Sequence, residues 1–264
     1  MFPAMEIIAG RTTGDTTSNT AVTVNTGNSL TVRNAPYESD VYLLTLFTHF
    51  QAAGTGVLRS ARLHDNVRGI GWSVPATDGQ LIVSPNVPQK LYPQDTLVLE
   101  TDGGAAAGDV SVTALILYYM NLPGINARLF NTDYIRQHGV NVVTVTNTIS
   151  TTATGDWGGE EAINAEVDLL RANTDYALIG YRVSAACAAV RWRGVDTGNL
   201  GVGGPGATTN QNMTSQFFAY LSDQSGLPCI PVFNSANKSG ILVDASQDES
   251  GTDITVTSIL VELK

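Results

Sequence analysis

The chain carries an internal repeat, and this repeat constrains the fold more than any other feature. Residues 97–100 and 109–117 match residues 241–244 and 253–261 in order and in residue type, as in Leu-Val-Leu-Glu against Ile-Leu-Val-Asp. The offset is 144 at both places (241 − 97 and 253 − 109), so the match runs without a gap. A repeat of this length indicates two copies of one structural unit, and the fold has to be predicted for a pair.

Weaker matches extend the repeat towards the N-terminus. Asp40 and the residues after it resemble Asp175 and the residues after it at an offset of 135. Residues 22–24 resemble residues 143–145 at an offset of 121. Because the offset grows along the chain, we predict insertions in surface loops of the second copy. The alternative is chance similarity between segments of alternating Val and Thr. The insertions are predicted in two segments rich in Gly, Thr and Asn, residues 150–162 and 200–215.

Composition favours strands over helices and excludes several classes of function. Hydrophobic residues make up 43% of the 264 residues and charged residues only 14%, which is typical of many short strands joined by turns. The net charge of −10 leaves no broad basic surface for phosphates, so we expect no direct contact with nucleic acid. No apolar run approaches the ~18 residues of a membrane span. Residues 1–6 lack the pattern of a secretion signal, so we expect synthesis and folding in a cytoplasm.

Turn signals divide the first copy into eight predicted strands. Eight strands in about a hundred residues is the number found in a jelly roll, which packs two four-stranded sheets face to face. We therefore predict an all-β fold of two tandem eight-stranded jelly-roll sandwiches joined by a short helical connector. The predicted segments are an N-terminal arm (1–20), the first jelly roll (21–121), the connector (122–139) and the second jelly roll (140–264). The strands are predicted at 21–25, 29–33, 41–50, 57–64, 68–74, 80–84, 95–101 and 109–120.

The connector is the segment with the clearest helical spacing. Ile125 and Leu129, and then Phe130 and Tyr134, lie four residues apart, and Gly139 is placed to end a helix. We predict a helix or two short helical turns here. The alternative is an irregular linker.

The residues that would carry chemistry do not cluster. His49, His64 and His138 are scattered, and the second copy has no histidine, which disfavours a metal-binding double cupin. Cys187 and Cys229 lie in apolar surroundings and are predicted to be buried. The Gly-rich residues 198–206 lack the Lys-Ser/Thr of a phosphate loop and are predicted to form a flexible loop. The chain is therefore predicted not to be an enzyme and to have no catalytic, cofactor-binding or metal-binding residues.

Three polar or aromatic residues remain as candidates for binding. Trp157 lies between glycines in the sequence Gly-Asp-Trp-Gly-Gly, and an exposed indole in such a loop is a platform for stacking a sugar. Arg191 and Arg193 share one face of a predicted strand. For these two arginines we favour ion pairs with acidic residues of a neighbouring subunit over an anion site.

As a whole, the chain resembles the double-jelly-roll major capsid proteins of tailless icosahedral viruses, many of which enclose a membrane. The resemblance rests on the paired terminal strands (109–117 and 253–261), the helix-like connector (125–138) and the N-terminal arm (1–20). It covers the architecture of the whole chain and includes no diagnostic sequence motif.

The resemblance implies a homotrimer whose six jelly rolls form a pseudo-hexagonal block that tiles a viral shell. It implies a location in the virion, assembly in a host cytoplasm, and other capsid proteins and an internal membrane as further partners. The arm residues Phe2, Ile7 and Ile8 would then contact a neighbouring subunit or that membrane. Arg11 is the only basic residue before Arg33, which agrees with a shell that does not touch its genome.

A different class of function stays open. The alternative is a tandem β-sandwich module that binds carbohydrate, or a component of a phage spike or tail. Trp157 and the acidic residues near predicted turns are its best support. Glycan binding by a monomeric chain would favour this alternative, whereas assembly into trimers would favour the capsid protein.

Overall fold

Strands dominate both halves of the chain. The computed structural model describes residues 3–13, 20–21, 23–24, 30–34, 41–50, 53–60, 62, 69–74, 79–83, 88–101, 110–150, 157–184, 187–206, 214–247 and 253–264. The strands of the first half are β1 (Ala4–Thr13), β2 (Thr20–Ala21), β3 (Thr23–Val24), β4 (Val41–Phe50), β5 (Gly54–Arg59), β6 (Ile70–Val74), β7 (Gly79–Val83), β8 (Gln89–Leu91), β9 (Val98–Thr101) and β10 (Val110–Tyr119).

The second half combines strands with short helices. Its elements are β11 (Leu129–Phe130), α1 (Thr132–His138), β12 (Gly139–Ile149), β13 (Glu161–Ala162), β14 (Asp175–Val183), β15 (Cys187–Arg193), β16 (Val202–Pro205), α2 (Phe217–Ser225), β17 (Ile230–Asn234), a 3-10 helix (Ser235–Gly240), β18 (Leu242–Gln247) and β19 (Ile254–Leu263).

Each half forms two antiparallel sheets, and none of the sheets in the described part of the chain takes strands from both halves. The large sheets are ordered β3-β1-β10-β4-β7, with β8 also paired to β4, and β12-β19-β14-β17-β11. The small sheets are ordered β2-β9-β5-β6 and β13-β18-β15-β16. Strand for strand, β1-β10-β4-β8 therefore corresponds to β12-β19-β14-β17, and the two small sheets correspond throughout. Two four-stranded sheets connected in this way form a jelly roll. The predicted fold class, two tandem jelly rolls with a short helical connector, is confirmed.

A β-bulge at the same place in both large sheets supports the repeat in detail. The pairing of β4 with β10 skips Leu44, and the pairing of β14 with β19 skips Ile179. These residues are 135 apart, the offset expected from the sequence. A bulge bends a strand and changes its twist, so copies that share one share the curvature of their sheets.

The same pairing corrects the alignment of the last strand by one residue. Leu43 pairs with Leu117 and Leu178 pairs with Leu260, so β10 and β19 correspond at an offset of 143 (260 − 117) instead of 144. A shift of one residue exchanges the two faces of a strand. The sequence misled here because β10 is buried from Ser111 to Tyr119 on both faces and shows no alternation that could fix its register.

The expected N-terminal arm at residues 1–20 is wrong for its described residues. β1 runs from Ala4 to Thr13 and pairs along its whole length with β10, as β12 pairs with β19. By this pairing residue 7 corresponds to residue 144, an offset of 137, so the match of residues 22–24 with 143–145 is also wrong. Residues 4–9 are apolar except for Glu6 and are buried on both faces, so they lack the alternation that marks a half-exposed strand.

The corrected offsets move the predicted insertions. The offset is 137 at β12, 139 at β13 and 135 at β14, so only two residues are gained near the insertion expected at 150–162, and they are lost again before β14. The offset that relates β6 to β16 is 132, and the offset that relates β8 to β17 is 142. The second copy therefore gains ten residues between β16 and β17, which agrees with the insertion expected near 200–215. In the second copy α2 lies in this part of the chain, where the first copy has β7.

The connector contains the predicted helix in its last third. α1 begins after Asn131, whose side-chain oxygen accepts a hydrogen bond from the Tyr134 backbone N–H at 2.8 Å, and ends at Gly139 as expected. The preceding residues 121–128 are irregular. Arg128 fixes them to the second copy, because its guanidinium donates two hydrogen bonds of 2.9 and 2.6 Å to Asp175.

The two jelly rolls pack side by side through the outer face of the first large sheet. Strands β1 and β10 contact β15 and β16, and the Ile7 backbone N–H donates to the Gly201 carbonyl at 2.8 Å. Val112 on β10 packs against Ala188 on β15. Because both faces of β1 and β10 are covered, a single hydrophobic core cluster extends through both halves.

A cluster of Arg, Tyr and Glu with a buried carboxylate recurs in the two copies. In the first, Arg33 donates to Glu6 at 2.8 Å, and the Tyr119 hydroxyl donates to the other oxygen of Glu6 at 2.6 Å. Burial and the nearby Glu6 carboxylate raise the pKa of Tyr119 well above its usual range, so its hydroxyl keeps the proton that it donates. In the second copy, Arg171 donates to Glu262 and its backbone N–H donates to the Tyr176 hydroxyl.

We predict that Glu6→Ala destabilises the first jelly roll, because it leaves the buried Tyr119 hydroxyl without its acceptor. The expected loss in free energy of unfolding is about 1–3 kcal/mol for each buried polar group left unpaired. Urea denaturation of the two proteins measures it. Glu6→Gln, which keeps one acceptor oxygen, is the matched variant and is expected to lose less. Equal losses in the two variants would contradict the role assigned to the Tyr119 hydrogen bond.

Candidate functional site

The three candidate binding residues of the sequence meet on the outer face of the second small sheet. Trp157 forms an isolated bridge with Ser246 of β18, and its half-buried ring lies beneath the Arg191 guanidinium, with 4.2 Å between the guanidinium carbon and the ring centroid. Such cation–π stacking stabilises both side chains when they are shielded from water. Because one face of the indole carries the guanidinium, only the other face is left for a ligand.

Both arginines of this cluster pair with acidic residues of the same chain. Arg191 donates to Asp244, which lies opposite it on β18, at 2.6 and 3.0 Å. Arg193 pairs with Glu160. Two positive and two negative charges therefore neutralise one another on this face. The expectation that Arg191 and Arg193 find their acids on a neighbouring subunit is replaced by pairing within the chain. The reason is that β13, β15 and β18 are neighbours, which the spacing in the sequence could not show.

Asp244 is the most perturbed carboxyl group of the cluster. Its side chain is 1% exposed. Burial raises the pKa of Asp244 from 3.8 to about 6, although the adjacent Arg191 acts in the opposite direction. This carboxyl group therefore changes its charge in the mildly acidic range.

The candidate contact residues at the N-terminus lie in different environments. Phe2 is outside the described residues. Ile7 points outwards from β1 against Gly201 of the second copy, whereas Ile8 points into the sandwich of the first copy. Both isoleucines are less than 5% exposed, so neither is available to a membrane or to another subunit. The contact that Ile7 makes joins the two jelly rolls of one chain.

A second surface was not found from the sequence. The first four residues of β12 are exposed, residues 139–142. Two of them are valines, Val140 with an exposed fraction of 52% and Val142 with 60%. They border a groove of about 610 Å³ between β12 and the two α-helices. Other residues of the groove wall are Ile135, Arg136, Ile179, Ala219, Tyr220 and Val261. Exposed apolar surface of this kind is typical of interaction sites.

The described residues contain no group of three or more His, Cys, Asp or Glu that could hold a metal ion. Cys187 and Cys229 are buried, as predicted, and are not joined in a disulfide, and burial raises the pKa of Cys229 to about 12, which leaves it a poor nucleophile. His49 lies in β4, and His138 lies at the end of α1, where its ring stacks on Tyr134. Within the described segments, none of the helices is both long and apolar enough to cross a bilayer.

Comparison with known proteins does not identify a family. No family model and no curated protein matches the chain. Among solved structures, it is similar to the PBSX exported protein XepA, with 9% identity and a TM-score of 0.29 over 98% of this chain and 86% of that chain. It is also similar to the major capsid protein P2 from bacteriophage PM2, with 7% identity and a TM-score of 0.24 over 100% and 98%. A third similar structure is that of Sulfolobus turreted icosahedral virus. The identity is 11% and the TM-score is 0.22, over 98% of this chain and 79% of that chain. All three scores are low, and the functional argument therefore rests on the geometry of this chain.

We predict that Asp244 makes the protein less stable as the pH rises from about 4 to about 7. The native state holds the Asp244 proton more tightly than the unfolded state does, since the folded pKa of about 6 exceeds 3.8. The stabilisation is therefore complete below pH ~4 and lost as the pH rises through about 6. At about 1.4 kcal/mol for each pKa unit, the change is on the order of 3 kcal/mol.

The measurement is the difference in free energy of unfolding between the wild type and Asp244→Asn across this pH range. The matched control is Asp168→Asn, because Lys238 lowers the pKa of the exposed Asp168 carboxyl group. For that control the difference is expected not to fall with pH. A wild-type advantage over Asp244→Asn that stays constant with pH would overturn the prediction.

Proposed function

We propose that this chain is a viral structural protein, a major capsid protein that forms homotrimers and tiles an icosahedral shell. The observation that carries the proposal is the side-by-side packing of two jelly rolls with the same strand order and the same bulge. A fused pair held in this way supplies two equivalent blocks for a shell, which is the arrangement that the resemblance to double-jelly-roll capsid proteins implies.

The proposed partners are other copies of the chain, joined in the virion by further capsid proteins and lying above an internal membrane. Assembly takes place in the host cytoplasm. Direct contact with the genome is not part of the proposal, because the net charge of −10 would repel phosphates. Ile7 and Ile8 are buried, so any contact with a membrane has to come from other residues.

A structural role also fits the way in which reactive groups are used. Several charged side chains are held in ion pairs within the chain, as Arg191 with Asp244 and Arg33 with Glu6 are. No enzymatic activity is proposed. The carbohydrate-binding alternative has less support than it had from the sequence, because Trp157 is half-buried beneath Arg191.

The proposal predicts a trimer in solution. Size-exclusion chromatography with light scattering should give a mass of about 84 kDa, three times the 27.9 kDa of one chain, and micrographs should show larger assemblies as concentration rises. A chain that remains a monomer of about 28 kDa at every concentration tested would contradict it. If such a monomer bound glycans and Trp157→Ala abolished the binding, the carbohydrate-binding alternative would replace it.

A further inference from the structure

The contact between the two jelly rolls of one chain uses two surfaces, and each has an uncovered counterpart in the other copy. The first is the outer face of a large sheet, which β1 and β10 provide. The second is the edge of a small sheet, which β15 and β16 provide. In the chain the face belongs to the first copy and the edge belongs to the second copy. The face of the second copy and the edge of the first copy remain to be accounted for.

The outer faces of the two large sheets differ sharply in exposure. On the first copy, Met5 and Ile7 are 0% and 4% exposed because the second copy covers them. Their counterparts at the offset of 137 are Val142, which is 60% exposed, and Thr144, which is also exposed. On β10, next to β1, Ile116 and Tyr118 are buried. At the offset of 143 they correspond to Ile259 and Val261 on β19, which are half-exposed. We call the four residues of the second copy the open face: Val142, Thr144, Ile259 and Val261.

The edges of the two small sheets show the same contrast in the opposite sense. Thr55 pairs with Ser73 in the first copy, as Ala189 pairs with Pro205 in the second. Ala189 and Pro205 are buried, whereas Thr55 and Ser73 are exposed. The residues that correspond to Gly201 and Gly203, at an offset of 132, are again glycines. We call these residues of the first copy the open edge: Thr55, Gly69, Gly71 and Ser73.

We infer that the open face of one chain binds the open edge of the next chain, in the way that the two jelly rolls bind within one chain. The equivalent of the hydrogen bond from Ile7 to Gly201 would run from the Thr144 backbone N–H to the Gly69 carbonyl of the next chain. The inference rests on the proposed function and names the surfaces by which the subunits of the trimer contact one another.

The chemistry of the two surfaces suits a contact that forms after folding. The face within the chain carries Met5 and Ile7, whereas the open face carries Val142 and Thr144, which are smaller and partly polar. Surfaces that meet water before assembly have to avoid large apolar patches, and exposed strand edges have to avoid indiscriminate pairing. The groove of about 610 Å³ beside Val142 continues the open face and gives the partner a concave surface to fill.

Because the open face and the open edge are different surfaces, the contact is head-to-tail. A head-to-tail contact forms a closed ring when its rotation closes, and otherwise it forms a filament. A contact of this kind has a consequence that a two-fold contact lacks. A chain with a disabled face still has a working edge, and a chain with a disabled edge still has a working face.

Two charge substitutions test the inference on the full-length chain. Val142→Asp disables the open face, and Gly71→Asp disables the open edge. Among the described residues, a Cβ added at Gly71 meets one atom, at 3.9 Å. Each variant alone is expected to be a monomer, with trimer formation weakened at least ~100-fold by burial of an unpaired charge. The matched control is Val167→Asp, since Val167 is 53% exposed and lies outside both surfaces, and it is expected to remain a trimer.

The decisive measurement is an equal mixture of Val142→Asp and Gly71→Asp. Light scattering should show a heterodimer of about 56 kDa, with one working contact, and no trimer. This result also shows that both variants are folded. Two outcomes overturn the inference and leave the proposed function standing, provided that the wild type is a trimer. In the first, either variant alone stays a trimer. In the second, the mixture stays monomeric although circular dichroism shows that both variants are folded. If the wild type is itself a monomer, both are overturned.

Discussion

Burial of the first large sheet on both of its faces is the constraint on which the rest of this molecule depends. Its inner face packs in the first sandwich, and its outer face packs against β15 and β16 of the second jelly roll. Strands covered on both faces are largely apolar, as residues 4–9 of β1 apart from Glu6 and residues 114–119 of β10 are. The two jelly rolls are consequently fixed side by side, whereas β19 of the second large sheet keeps the alternating burial of a half-exposed strand.

The two copies preserve geometry more strictly than chemistry. Leu44 and Ile179 occupy the same bulge, and Arg33 and Arg171 each lie in the segment before a central strand. The Tyr and Glu that hold these arginines come from different strands in the two copies. In the first, Tyr119 lies on the last strand, whereas in the second the last strand supplies Glu262. A guanidinium binds a carboxylate through charge-assisted hydrogen bonds, and different neighbouring strands can supply that carboxylate.

The charged face around Trp157 shows why single residues were harder to interpret than the fold. Arg191 and Arg193 alternate in the sequence, and their common face was correctly expected from strand geometry. Their partners Asp244 and Glu160 are distant in sequence. Asp244 lies opposite Arg191 on β18, and the segment before β13 lies along the other side of β18. A count of acids and bases cannot distinguish a partner in the same chain from one in another subunit.

The sequence by itself determined the repeat, the all-β class, the jelly-roll count of strands, the position of the connecting helix and the burial of both cysteines. Each of these follows from local spacing, turn residues or hydrophobicity, which act within a few residues. Only the tertiary structure decided that residues 4–13 form a strand and that the last strands of the two copies, β10 and β19, correspond at an offset of 143 residues. It also decided that Ile7 faces the second jelly roll. These features depend on what covers the outer face of a sheet, and a strand that is buried on both faces carries no pattern that reveals its partner or its register.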